Sequence, residues 1–153
     1  MNQFMLDTNT FNVILDTPDI EPSKLSCCGK FFVTHIQLNE IQATKKPPER
    51  LSKLLAVFET VEQDTVPTAA AVFDVSEYGN SEWSDANGDY DRILLLLKQK
   101  RSKSRGNAND ALIGVTALKR RYTLVTNDPD LLASVIEMGG SAITLKALLA
   151  NAG

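Results

Sequence analysis

Short apolar runs alternate with longer stretches whose apolar residues recur every three or four positions. The runs are Phe4-Met5-Leu6, Phe31-Phe32-Val33-Thr34, Thr65-Val66, Tyr122 to Thr126 and Ala142-Ile143-Thr144. The stretches between them carry Phe11, Ile14 and Leu15, then Leu51, Leu54, Leu55, Phe58 and Val61, then Ile93, Leu94 and Leu97. Ala111, Leu112, Val115 and Leu118 follow with the same spacing, as do Leu131, Leu132, Val135 and Ile136. Each set lies on one face of a helix. Strands that alternate with helices of this length predict a parallel sheet covered on both sides.

Punctuation residues set the expected boundaries. Asn9 or Thr10 opens the first helix and Pro18 ends it; Pro22 starts a short helix that Gly29 stops. His35 to Lys45 and Pro48 to about Glu62 read as helices separated by Pro47-Pro48. Ala69 to Tyr78 reads as a helix and Gly79 to Gly88 as an acidic loop that Trp83 anchors. Asp89 to Arg101 is helical, and Asn107 or Asn109 caps the helix that runs to Arg121. Asn127-Asp128-Pro129-Asp130 starts a helix stopped by Gly139-Gly140, and Leu145 to Ala150 is the last.

Composition adds limits. A chain of 153 residues, 43% of them hydrophobic, suits one domain spanning 1–153. The longest apolar run, Ile93 to Leu97, is too short to cross a bilayer. Asp7 and Asp16 break any secretory apolar stretch near the start, so a cytoplasmic protein is expected. Cys27 and Cys28 are adjacent, which excludes a C-x-x-C zinc half-site and suits two reduced thiols packed near a helix end. The formal net charge of −3 excludes a polycation.

The chemistry is carried by carboxylates. Asp7 ends the first strand, where a core would take another apolar residue. Glu40 falls in the helix after the second strand, Asp110 starts the helix before Tyr122, and Asp128 follows the strand that ends at Thr126. In a parallel sheet, strand ends and following helix starts share one edge, where ligands bind. Four carboxylates meeting there would repel one another. Hard divalent cations such as Mg²⁺ or Mn²⁺ take oxygen ligands and would relieve that repulsion. Each residue also has a plain role open to it, as a helix cap for Asp7, Asp110 and Asp128 and as a solvated helix residue for Glu40.

These stretches together resemble the PIN-domain ribonucleases, especially the toxin subunits of the VapBC type. The matching segments are Phe4-Met5-Leu6-Asp7-Thr8-Asn9, Thr34 to Ile41, Asn109 to Leu118 and Leu124 to Leu131. They occur in the family's order along nearly the whole chain. The resemblance implies a three-layer α/β/α sandwich with a central parallel sheet of about five strands. It implies that Asp7, Glu40, Asp110 and Asp128 form an acidic, metal-holding catalytic set. Asn9 and Thr126 match its supporting polar positions, and Asp130 an extra acidic position that holds metal-bound water. The implied activity is Mg²⁺- or Mn²⁺-dependent endoribonuclease, the toxin of a pair with a small antitoxin protein and itself a homodimer. Leu131 departs from the aromatic residue many relatives carry, and the polar Gly79–Gly88 segment is longer than a minimal toxin needs.

Lys98, Lys100, Arg101, Lys103 and Arg105 cluster ahead of Asp110 and are candidates to bind RNA phosphates. Cations also suit a helix C-terminus, so a solvated helix end explains the same run. Two other functions fit parts of the chain. Asp7-Thr8-Asn9-Thr10 is similar to the motif of aspartate-nucleophile phosphatases of haloacid dehalogenase type, although Asn9 stands where that chemistry needs a second Asp. A non-catalytic RNA- or protein-binding module of the same fold is the other.

Overall fold

A computed structural model describes residues 1–43, 45, 47–69, 88–101 and 106–152. Its strands are β1 (Gln3–Leu6), β2 (Lys30–Val33), β3 (Gln63–Thr65), β4 (Thr123–Val125) and β5 (Ser141–Ile143). The helices are α1 (Thr8–Asp16), α2 (His35–Ala43), α3 (Pro48–Thr60), α4 (Asp89–Lys100), α5 (Asn107–Arg120), α6 (Pro129–Glu137) and α7 (Leu145–Asn151). All five strands are parallel and lie in the order β3-β2-β1-β4-β5.

Strand alternation decides which face each side chain joins. Phe4 and Leu6, with Phe31, Val33 and Val125, pack on Phe11, Ile14, Leu54, Val57, Leu145 and Leu148 from α1, α3 and α7. Met5, Phe32 and Leu124 pack on the other side against Ile93, Leu97, Leu112, Val115, Leu131 and Val135 from α4, α5 and α6. Both faces are therefore covered, as a parallel sheet requires. Each such buried side chain contributes about 1.5–3 kcal/mol. Among the described residues no helix is long and apolar enough to cross a membrane.

Several boundaries differ from the expected ones. The first helix begins at Thr8, because Asp7 itself caps it: one carboxylate oxygen accepts from the Thr8 N–H at 2.8 Å. Neither Asn107 nor Asn109 caps α5; Gly106 precedes it with left-handed backbone and Asn107 is buried. The segment Pro22–Cys27 is a 3₁₀ helix. The third strand is polar, Gln63-Asp64-Thr65, and lies at the sheet edge, where half-exposed residues suffice and no apolar run marks it. Cys27 is exposed and Cys28 half-buried against the core, so only one of the two thiols is packed at the helix end. Most of the expected helix Ala69 to Tyr78, most of the loop after it, and its Trp83 anchor lie outside the described residues.

Candidate active site

Parallel strand ends and the helix starts that follow them place Asp7, Glu40, Asp110, Asp128 and Asp130 toward one edge of the sheet. β1 stops at Leu6, and the chain turns there because Asp7 has work for both of its oxygens. One caps α1; the other accepts a 2.7 Å hydrogen bond from the Thr126 hydroxyl, at the end of the neighbouring β4. Thr126 in turn accepts from the Asp128 N–H at 3.1 Å. One hydroxyl thus joins two of the carboxylate positions. Asp128 repeats the Asp7 device: its Oδ1 caps α6 by accepting from the N–H groups of Asp130 and Leu131. The cap and the site residue are the same side chain in both cases.

Burial and charge crowding appear together at Asp7. It is 3% exposed. Burial pushes its carboxyl up to about 7 from 3.8; the negative Asp110 and then Glu40 add to that, against the Thr126 and Thr8 hydrogen bonds. Glu40 is also raised, by burial first and by Asp110, while hydrogen bonds from Thr8 and Asn109 oppose it. The Thr8 hydroxyl donates to Glu40 Oε1 at 2.6 Å, which ties the helix after β1 to the helix after β2. Asp7, Glu40 and Asp110 therefore sense one another. The side chain of Asn9 meets the backbone after β4: its Oδ1 accepts from the Asn127 N–H at 3.3 Å.

A cation from the chain joins these carboxylates. Arg101 donates to Asp110 Oδ2 at 2.7 Å and to Asp128 Oδ2, with Asp130 Oδ2 3.5 Å from its Nε. Its side chain is 7% exposed. Asn107 Oδ1 accepts from the same guanidinium at 3.0 Å. Arg101 was expected on an RNA-facing basic run; it is turned inward, onto the carboxylates. The rest of that run is divided. Lys98 is exposed on the last turn of α4, and Lys100 pairs with Glu137 of α6 at 2.7 Å. Lys103 and Arg105 lie outside the described residues.

Whether these residues suit a divalent metal is answered by their chemistry and their spacing. Every candidate donor is a carboxylate or hydroxyl oxygen, which is what Mg²⁺ and Mn²⁺ prefer. Asp110 raises both Asp7 and Glu40, and Glu40 raises Asp7, so positive charge is favoured beside them. Among the described residues, however, no three acidic, His or Cys side chains are gathered as a ready metal cluster. The expected four-carboxylate nest is thus not closed up as it stands. Mg²⁺ keeps several waters and commonly uses only one or two carboxylates, so an open arrangement still fits it.

One residue of consequence escaped the sequence reading. Gln37 is fully buried, accepts from the Thr34 N–H and hydroxyl at 2.9 and 2.7 Å, and donates to the Leu6 carbonyl at 2.8 Å. It locks the carboxyl ends of β1 and β2 together, one residue from Asp7. A signal existed: Thr34-His35-Ile36-Gln37 has the spacing of a capping box.

No family model and no curated protein matches the chain. Solved structures do. PAE2754 from Pyrobaculum aerophilum is 14% identical with a TM-score of 0.58, over 99% of this chain and 95% of that one. VapBC2 from Rickettsia felis, bound to a DNA fragment from its promoter, is 20% identical with a TM-score of 0.54, over 93% of this chain and 98% of that one. With its five-stranded parallel sheet between two helical layers, the chain has the PIN-like α/β/α sandwich fold.

Proposed function

We propose that the chain is a divalent-metal-dependent nuclease acting on RNA, with Asp7, Glu40, Asp110 and Asp128 as its acidic set and Asp130 beside them. The observation that carries this reading is the buried Asp7, whose carboxyl is pushed up to about 7 by burial and by Asp110 and Glu40. Burying a carboxylate near Asp110 and Glu40 is costly even with the Thr8 and Thr126 hydrogen bonds in place, and a bound cation would offset that cost. Bound Mg²⁺ or Mn²⁺ would supply Lewis acidity, activation of water and stabilisation of the leaving oxygen of a phosphodiester.

The chain's own residues would do the positioning. Asp7 and Asp110 are the preferred holders of the ion, from β1's end and the first turn of α5. Glu40 and Asp128 flank them, and Thr8 and Thr126 orient Glu40 and Asp7 through short hydrogen bonds. Exposed Lys98 would meet the RNA backbone at the rim. The Rickettsia felis structure of the same fold is of a VapBC pair. By that fold-level analogy, and by the sequence resemblance, we read this chain as the toxin member, blocked by a small protein antitoxin and forming a homodimer in the cytoplasm.

The phosphatase reading loses ground on a specific geometry. Both Asp7 oxygens are engaged, by Thr8 and Thr126, and Asn9 is spent on the Asn127 backbone. That chemistry needs an acid/base carboxyl two residues after the nucleophile, and Asn9, which stands there, has none. The test is cleavage of a mixed RNA by purified protein with Mn²⁺, with EDTA, and with Asp7→Asn or Asp110→Asn. Cleavage only by the wild type with metal supports the reading. Cleavage undiminished by EDTA, or by both substitutions in folded protein, would sink it.

A further inference from the structure

Arg101 contributes more to the site than charge balance at a helix end. Its guanidinium engages Asp110 Oδ2 and Asp128 Oδ2 and sits near Asp130 Oδ2, and Asn107 fixes its plane. Asp128 Oδ1 is already committed to the α6 cap, so Oδ2 is the oxygen it has left to offer inward. Arg101 takes that oxygen. It does so nine-tenths buried, where a planar fork of donors binds carboxylates most strongly.

A divalent ion held by Asp7 and Asp110 with Asp128 beside them would draw on the Asp110 and Asp128 oxygens that Arg101 engages. Two cations cannot share those lone pairs without repelling each other at close range. We infer that Arg101 is the resident counter-cation of this site, and that a divalent metal binds there only by displacing it. The inference rests on the metal-dependent reading above and deepens it. Without metal, Asp110 and Asp128 are then neutralised from within by Arg101, and metal affinity is set by the competition. Displacement is structurally feasible because Arg101 follows the last helical residue of α4, with extended backbone. Its side chain can rotate without unwinding the helix.

The experiment is Mn²⁺ titration by calorimetry of EDTA-stripped, then dialysed, full-length wild type, Arg101→Gln and Arg101→Lys, with melting temperatures taken in EDTA. The expected result is roughly tenfold or tighter Mn²⁺ binding by Arg101→Gln, tenfold being about 1.4 kcal/mol. Arg101→Gln should also melt lower than wild type in EDTA and recover with Mn²⁺. Equal or weaker binding by Arg101→Gln overturns the inference and leaves the metal site standing. Absence of binding in every protein overturns the metal reading and the inference with it. If Arg101→Gln does not fold, the wild type alone decides. The Arg101 Nε–H resonance, slow to exchange in EDTA, should shift and exchange faster at Mg²⁺ concentrations that shift the Asp7 and Asp110 amides. An Arg101 signal unchanged while those amides move would contradict displacement.

Discussion

Asp7 is where stability and function pull in opposite directions. Its carboxyl is pushed up to about 7 by burial, then by Asp110 and Glu40, so the folded chain binds that proton more tightly than the unfolded chain does. Stability from this group is therefore complete below about pH 4. It is lost as pH rises toward 7 and is flat above that. The span amounts to on the order of 4 kcal/mol at about 1.4 kcal/mol per pH unit. In EDTA, the melting temperature of the wild type should fall between pH 5 and pH 7.5, and Asp7→Asn should flatten that slope. Asparagine keeps an oxygen for the Thr8 N–H and can donate its amide to the Thr126 hydroxyl, so the fold survives. At pH 8 in EDTA, Asp7→Asn should melt several degrees above wild type while RNA cleavage disappears. A variant that melts lower would mean that Asp7 is mainly a cap.

At the scale of elements, the site depends on strand ends being held in register. Gln37 does this by bridging the Leu6 carbonyl and Thr34. Gln37→Ala leaves those buried groups unpaired and should cost about 1–3 kcal/mol in urea denaturation, with activity reduced in parallel. A loss below 0.5 kcal/mol would show that backbone pairing alone aligns the ends. The same scale explains what could be read beforehand. Strands β1, β2 and β4 and helices α3 and α6 carry strong apolar periodicity, and all appear within a few residues of their expected limits. The polar β3 has no such pattern; it forms because β2 offers a pairing edge. The start of α1 lies at Thr8 rather than the expected Asn9 or Thr10 because the cap is Asp7, whose second oxygen remains bonded to Thr126.

At the scale of the whole molecule, topology brings residues far apart in sequence to one edge. Strand and helix order made it legible that Asp7, Glu40, Asp110 and Asp128 lie toward one edge of the sheet, but not that, among the described residues, no three of them gather as a ready metal cluster. Arg101 was not legible, because a basic residue at a helix end reads as solvated and nothing local reveals an inward rotamer. Its burial is a tertiary fact, created by Asp110 and Asp128 arriving from separate elements. Ion binding must also displace protons from the raised carboxyls, so Mn²⁺ affinity should rise from pH 6 to pH 8. Affinity that is flat over that range would place the ion away from Asp7 and Glu40.

The central claim is that this acidic edge is one cation site. The most direct measurement is Mn²⁺ titration at pH 8 of wild type, Asp7→Asn and Asp110→Asn, each shown to be folded by circular dichroism. We predict one saturable event in the wild type and its loss or severe weakening in both variants. Wild-type protein that takes up no Mn²⁺, or variants that bind it equally well, would contradict the claim.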